Sequence, residues 1–256
     1  MYQLGVGFKM KGKAGIYLTF FLLIALFLYF GEVWAVQPSG ANYTGEVTTT
    51  APTSDPESHA AQAGNVTRLD IYGTTVTQSW QGYYGNVTGT IQLADSNDKI
   101  LYNWSLTSPE GEVYASTNGS GEINWGNIAC FDLATNHESL ETFFNISTDD
   151  VDGINETFSD ANTHAAFYTA NHLFAAGDCP ATYMFTETGE GSAGEFEEVL
   201  LTDQSDTVQV IFASLLEEQD VQGFDGEYYD FEMIVLENGH GTDTSPTNYY
   251  FYVELQ

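Results

Sequence analysis

The sequence predicts an all-β fold, an antiparallel β-sandwich of the immunoglobulin-like type, preceded by an N-terminal hydrophobic helix. Three observations predict it. Apolar residues alternate with polar ones on both sides of short polar turns, the period of a half-buried strand. About ten such runs follow one another between turn residues, with no sustained helical repeat. The two cysteines, Cys130 and Cys179, both lie after an export-type segment, so they read as one disulfide made in an oxidising compartment.

The first element is the uncharged apolar run at 15–30, preceded by Lys9, Lys11 and Lys13 and followed by Gly-Glu-Val-Trp-Ala ending at Ala35. Basic flank, apolar run and small-residue exit are the layout of a signal peptide or a single membrane anchor. Cleavage after Ala35 releases the chain; retention tethers it to the membrane through the helix. Pilin-type processing just before the apolar run is a third fate. Lys13 and the lack of a glutamate at the start of the run argue against it. In every case the lysines stay inside and the rest is extracellular, secreted or anchored at the cell surface.

Residues 36–63 are rich in Thr, Ser, Pro and Ala and nearly free of large apolar side chains. Such a segment cannot bury enough surface to fold alone and reads as a stalk. Residues 64–256 form the ectodomain, with room for two subdomains divided near 127–180. Val87, Gly89, Ile91 and Leu93, then Ile100, Tyr102, Trp104 and Leu106, flank the turn at 95–98 as a hairpin. Between Asn127 and Cys179, the stretches 137–145 and 163–174 fit short helices or strands. Phe167, Ala170, Asn171 and Phe174 match a helical face. After Cys179 the strand texture returns at 182–187, 196–202, 207–215 and 229–235. It ends on Tyr249, Phe251, Val253 and Leu255, which alternate with Tyr250, Tyr252 and Glu254.

Charge narrows the partners. The chain has 36 acidic and 5 basic residues, a net charge of −31. After Val36 only Arg68 and Lys99 are basic. Nucleic acid is excluded as a partner, since no basic footprint exists to neutralise phosphates. Two readings of the acidity stay open: solubility in high salt, and binding of divalent cations.

The strongest motif signal is N-glycosylation. Asn42, Asn65, Asn86, Asn103, Asn118, Asn145 and Asn155 each open an Asn-x-Ser/Thr sequon, against about 2.6 expected from composition. Asn86 and Asn103 fall on the polar phase of their strands. The best cation candidate is the acidic loop with Asp149, Asp150, Asp152, Asn155 and Glu156 around Gly153. Its oxygen ligands suit Ca²⁺, without EF-hand spacing, while a solvated acidic loop explains the same residues. Trp80, Tyr83, Tyr84, Tyr250 and Tyr252 are candidates for an exposed aromatic platform, although core packing accounts for most aromatic residues. Gly189-Glu-Gly-Ser-Ala-Gly194 matches a dinucleotide fingerprint in letters only, because a strand-like run follows it. His137-Glu138 lacks the second histidine of a zinc-protease motif. No nucleophile–base pair is recognisable, so no catalytic residue and no cofactor other than Ca²⁺ are assigned.

The run Trp80-Gln-Gly-Tyr-Tyr-Gly-Asn-Val-Thr-Gly89 resembles one found in archaeal envelope proteins. Cys-Pro-Ala-Thr-Tyr at 179–183 and Tyr-Phe-Tyr-Val-Glu-Leu at 250–255 are similar to theirs as well. The resemblance, over about 65–256, implies an archaeal secreted or membrane-tethered surface protein and brings no functional residues with it. The expectation is a non-enzymatic cell-surface glycoprotein with a structural or adhesive role, assembling through its sheet edges into a layer or filament. A carbohydrate- or calcium-binding module is the alternative; a pilin-like subunit and a secreted hydrolase stand further off.

Overall fold

The computed structural model describes residues 37–106, 109–217, 221–239 and 245–255. The N-terminal helix expected at 15–30 lies outside them. Among the described residues thirteen strands and two α-helices run in the order β1 (Ser39–Gly40), β2 (Trp80–Gly85), β3 (Thr90–Ala94), β4 (Ile100–Ser105), β5 (Gly111–Ser116), β6 (Ala129–Cys130), α1 (Leu133–Phe143), α2 (Ile154–Thr157), β7 (Phe167–Thr169), β8 (His172–Phe174), β9 (Ala181–Tyr183), β10 (Glu197–Thr202), β11 (Ile211–Leu215), β12 (Phe231–Leu236) and β13 (Tyr250–Leu255), with a short 3-10 turn at Trp125–Asn127 before β6. All strand pairings among them are antiparallel. The protein is mostly β, as expected.

The centre is a seven-stranded sheet ordered β1-β13-β5-β11-β10-β6, with β9 beside β6 on the same edge of β10. Its inner strands are buried on both faces, so their apolar residues run consecutively, as in Val199-Leu200-Leu201 and Ile211-Phe212-Ala213. Successive side chains feed two different cores. Val113, Leu200 and Phe212 join one, with Leu140, Ile154, Phe158 and Met233. Tyr114, Val199, Leu201 and Ile211 join the other, with Trp125, Phe167 and Phe174.

Among the described residues one seven-stranded sheet is accompanied by three two-stranded ones. The first core is closed by the two-stranded β2–β12 ribbon and by α1 and α2. Helix α1 starts where Asp132 accepts the Thr135 amide at 3.1 Å, an N-cap. The β12 edge turned away from β2 is closed by side chains. Ser214 Oγ donates to the Glu232 carbonyl (2.9 Å), Glu198 Oε2 accepts the Ile234 amide (2.9 Å), and Tyr249 Oη donates to the Leu236 carbonyl (2.8 Å). Three side chains thus take the place of a neighbouring strand.

The second core is covered by the β7–β8 hairpin, so of the two alternatives open for 163–174, helix or strand, its ordered part is strand. Ala170 and Asn171 both sit at positive φ, 50° and 64°. That pair makes a two-residue hairpin turn of the kind whose twist matches the flanking strands. Cys130 and Cys179 form the disulfide, with Cα atoms 5.0 Å apart. It joins β6 to the segment that leads into β9, the two short strands that share one sheet edge. Buried His164 accepts the Cys179 amide on Nε2 at 3.0 Å and donates from Nδ1 to the Ala165 carbonyl.

The segment read as a stalk begins with β1, which pairs Ser39 with Val253 and Gly40 with Tyr252. From Asn42 to Gln78 the chain is exposed and has no regular secondary structure. Among the described residues no helix is long and apolar enough to cross a membrane.

Candidate functional site

Six of the seven sequon asparagines, Asn42, Asn65, Asn86, Asn103, Asn145 and Asn155, are exposed. Asn118 is half-buried, and its carbonyl accepts the Tyr252 hydroxyl at 2.9 Å.

Two residues of the acidic loop use their oxygens on neighbouring protein groups. Asp150 accepts the Ser147 amide at 2.8 Å, and Asp152 accepts the Thr77 hydroxyl at 2.5 Å and, through its carbonyl, the Trp80 indole N–H at 2.6 Å. Asp149, Asn155 and Glu156 are exposed. Glu156 and Glu141 converge on Gly153, where a Cβ would lie 2.5 Å and 2.7 Å from their oxygens. Glu141 is buried, and it accepts the Ile154 amide at 3.1 Å. Among the described residues no group of three or more His, Cys, Asp or Glu side chains is arranged to hold a metal ion.

The five aromatic residues proposed as a platform do not come together. Trp80 packs on Phe158 and Phe212 in the first core, and Tyr83 on Phe251. Tyr252 is buried against Trp125 in the second core. Tyr250 is exposed on β13. Only Tyr84 joins an exposed aromatic group, with Phe224 at 5.0 Å and Tyr229 at 4.8 Å between ring centroids. Tyr229 also donates to Asp225 at 3.0 Å, and burial first, then that bond to a carboxylate, pushes its hydroxyl up to about 12.

Sequence reasoning missed the buried carboxyl groups. Glu112, Glu141, Glu197, Glu198, Asp203, Glu232 and Glu254 are all buried. The only basic residues described, Arg68 and Lys99, are exposed, and Arg68 pairs with Asp70. Backbone amides take the place of cations. Glu197 accepts from Ala165 and Gly194, Glu232 from Phe224, and Asp203 from Asn124 and Ser205. Burial pushes the Glu232 carboxyl up to about 7 and Glu198 well above the usual carboxylate range.

Glu112 and Glu254 form a pair. They are cross-strand partners on β5 and β13 beneath the β7–β8 hairpin. Burial first, and then the facing Glu254 carboxylate, push Glu112 up to about 8. Burial also raises Glu254, against the Ala170 amide that donates to it at 2.9 Å. Tyr114 bonds Thr169 of the hairpin at 3.0 Å. Two like charges this close cannot both ionise cheaply. The pair is covered, at 2% and 5% exposure, so what it holds is the hairpin and not a substrate. The available signal was a glutamate inside an otherwise apolar strand, as in Gly111-Glu-Val-Tyr-Ala.

The opposite situation holds at the β3–β4 hairpin, which among the described residues pairs only with itself. Register places Ile91 opposite Trp104 and Leu93 opposite Tyr102. These four make one apolar face, each side chain 45–59% exposed, and a bulge after Leu93 pairs Ile100 with Ala94 instead. Thr90, Gln92, Asn103 and Ser105 make the other face.

No protein-family model matches the chain, and neither a curated protein nor a solved structure matches it significantly.

Proposed function

We propose that this chain is an extracellular cell-surface glycoprotein of archaeal type, with a structural or adhesive role, assembling with copies of itself into a layer or filament. The observation that carries the reading is the β3–β4 hairpin. A two-stranded ribbon with a bare apolar face is barely stable alone, and large exposed apolar patches mark contact surfaces. The disulfide supports an oxidising compartment, and the exposed sequons support modification there. In fold terms the reading is of a modified sandwich, with the β2–β12 ribbon in place of the second sheet. The N-terminal apolar run provides export and, if retained, the membrane tether.

Isolation of the protein from the envelope and medium of its host tests this. Intact mass and analytical ultracentrifugation should find glycan-bearing chains in envelope-held assemblies. A bare monomer in both fractions would overturn the proposal.

One cluster favours a second reading, a sugar-binding module. Tyr84 and Phe224 are exposed, and Tyr229, packed against Tyr84, donates to Asp225; ring faces next to carboxylates suit a saccharide. Calorimetry with glycans and with Ca²⁺ tests this reading and the cation reading of the 149–156 loop together.

A further inference from the structure

We infer that Asn118 is a sequon in letters only: its side chain is a clamp within the fold, and folding and glycosylation at this position exclude each other. The inference rests on the glycoprotein reading above and sets one of the seven sequons apart from the other six.

An N-linked glycan is attached through Nδ2, and Nδ2 of Asn118 is already engaged. It donates to Gln209 Oε1 at 2.8 Å. Gln209 is held in turn, with Nε2 donating to the Asp203 carboxylate and to Ser205 Oγ at 2.6 Å. Asp203 is fixed by the amides of Asn124 and Ser205, at 2.9 and 2.8 Å. Gln209 and Asp203 are 5% and 2% exposed, so drawing the Asn118 amide away leaves a buried acceptor without its partner. A glycosylated Nδ2 keeps one hydrogen and carries a bulky sugar ring in place of the other, here at a half-buried residue set against this network.

The backbone of the sequon is pinned as well. The Asn118 amide donates to Ser116 Oγ at 3.3 Å, and its carbonyl accepts the hydroxyl of Tyr252, a residue buried in the second core. The Gly119 amide donates to Glu122 Oε2 at 2.6 Å, and its carbonyl accepts the Glu122 amide at 3.1 Å. Gly119 is buried, and a Cβ there would sit 3.4 Å from the Tyr250 ring. A transferase needs an acceptor that it can draw out of a surface loop. Drawing out 118–120 breaks the contacts that tie the end of β5 to β13 and to the loop between β10 and β11. Openings of that kind are rare where the chain is packed and frequent in exposed segments. Asn42 and Asn65 lie in exposed chain without regular secondary structure, and Asn86, Asn103, Asn145 and Asn155 are exposed too. A chain that folds first closes Asn118 to the enzyme. A chain modified there first cannot complete the clamp.

The test expresses the full-length chain in a eukaryotic secretory host, where N-glycans are added before folding ends. Glycopeptide mass spectrometry then reads each sequon in two fractions, chains with the Cys130–Cys179 bond and chains without it. In the bonded fraction Asn118 should be occupied about tenfold less than Asn42, or lower still, and its glycan should collect in the fraction without the bond. Thr44→Ala, which destroys the Asn42 sequon, should remove one glycan from folded chains. Ser120→Ala destroys the Asn118 sequon at an exposed residue and should remove none and melt like the wild type. Asn118→Ala should melt lower by about 3 °C or more, or fail to fold. Equal occupancy of Asn118 and Asn42 in disulfide-bonded chains would overturn the inference, and so would an Asn118→Ala variant that melts with the wild type. If no sequon carries a glycan, the glycoprotein reading fails and the melts alone decide whether Asn118 is a clamp.

Discussion

The hydroxyl of Tyr114 lies 3.4 Å from a carboxylate oxygen of Glu112 and 3.4 Å from one of Glu254, bridging two acids that face each other across β5 and β13. The bridge works while the pair holds a proton. Glu112, at about 8, Glu232, at about 7, and Glu198 all keep their protons to higher pH in the folded chain than in the unfolded one. Folding therefore takes up protons, and stability falls as pH rises. Thermal melts should show full stability below the ordinary carboxylate range and a steady loss from about pH 4.5 to 8, on the order of 5 kcal/mol from Glu112 alone. Asp203 runs the other way. Burial raises it, but amides from Asn124 and Ser205 hold it low, so its contribution is lost only in strong acid.

Glu112→Gln should flatten much of that slope. At pH 8 it should melt above the wild type, and at pH 4 close to it. A variant that is less stable than wild type at both pH values would count against the shared proton.

Glu198→Ala should cost about 2–4 kcal/mol in urea denaturation, because it orphans the Ile234 amide and opens a cavity in the first core. Glu198→Gln keeps an acceptor for that amide. It should stay near wild type at pH 5 and exceed it at pH 8.

Reducing the Cys130–Cys179 bond, or replacing both cysteines with serine, should cost about 4 kcal/mol by loop-closure entropy. Hydrogen exchange should then show β6 and β9 losing protection before β10 and β11 do.

Gly111→Ala should destabilise the chain by about 2 kcal/mol or more. Gly111 has φ +128°, and a Cβ there would run into the Glu254 carbonyl. The loss is read as a drop in melting temperature.

Local alternation made the β3–β4 hairpin legible in the sequence, since Ile91, Leu93, Tyr102 and Trp104 share one phase across a short turn. The C-terminal strand was legible for the same reason. The β7–β8 hairpin was not, because its turn is Ala170-Asn171, and alanine rarely signals positive φ. Phe167 and Phe174 therefore matched a helix by spacing. Pairing between β1 and β13 spans the whole chain and leaves no local trace in Ser39–Gly40. The Glu112–Glu254 pair was hidden because a glutamate on a strand ordinarily marks solvent, and here β5 and β13 lie in a sheet covered on both faces. The exposed sequons were readable as letters; their exposure was not.

The two-residue strand β1 has a mechanical consequence. Any pull applied through the residues before Gln37 reaches the body first at Ser39–Gly40, held to β13 by a few hydrogen bonds. Those bonds shear before anything in the core is loaded. Their release frees residues 41–79, which can extend by about 130 Å before tension arrives at β2. Under such a pull this slack would be drawn out before the disulfide-tied sheet behind it is loaded.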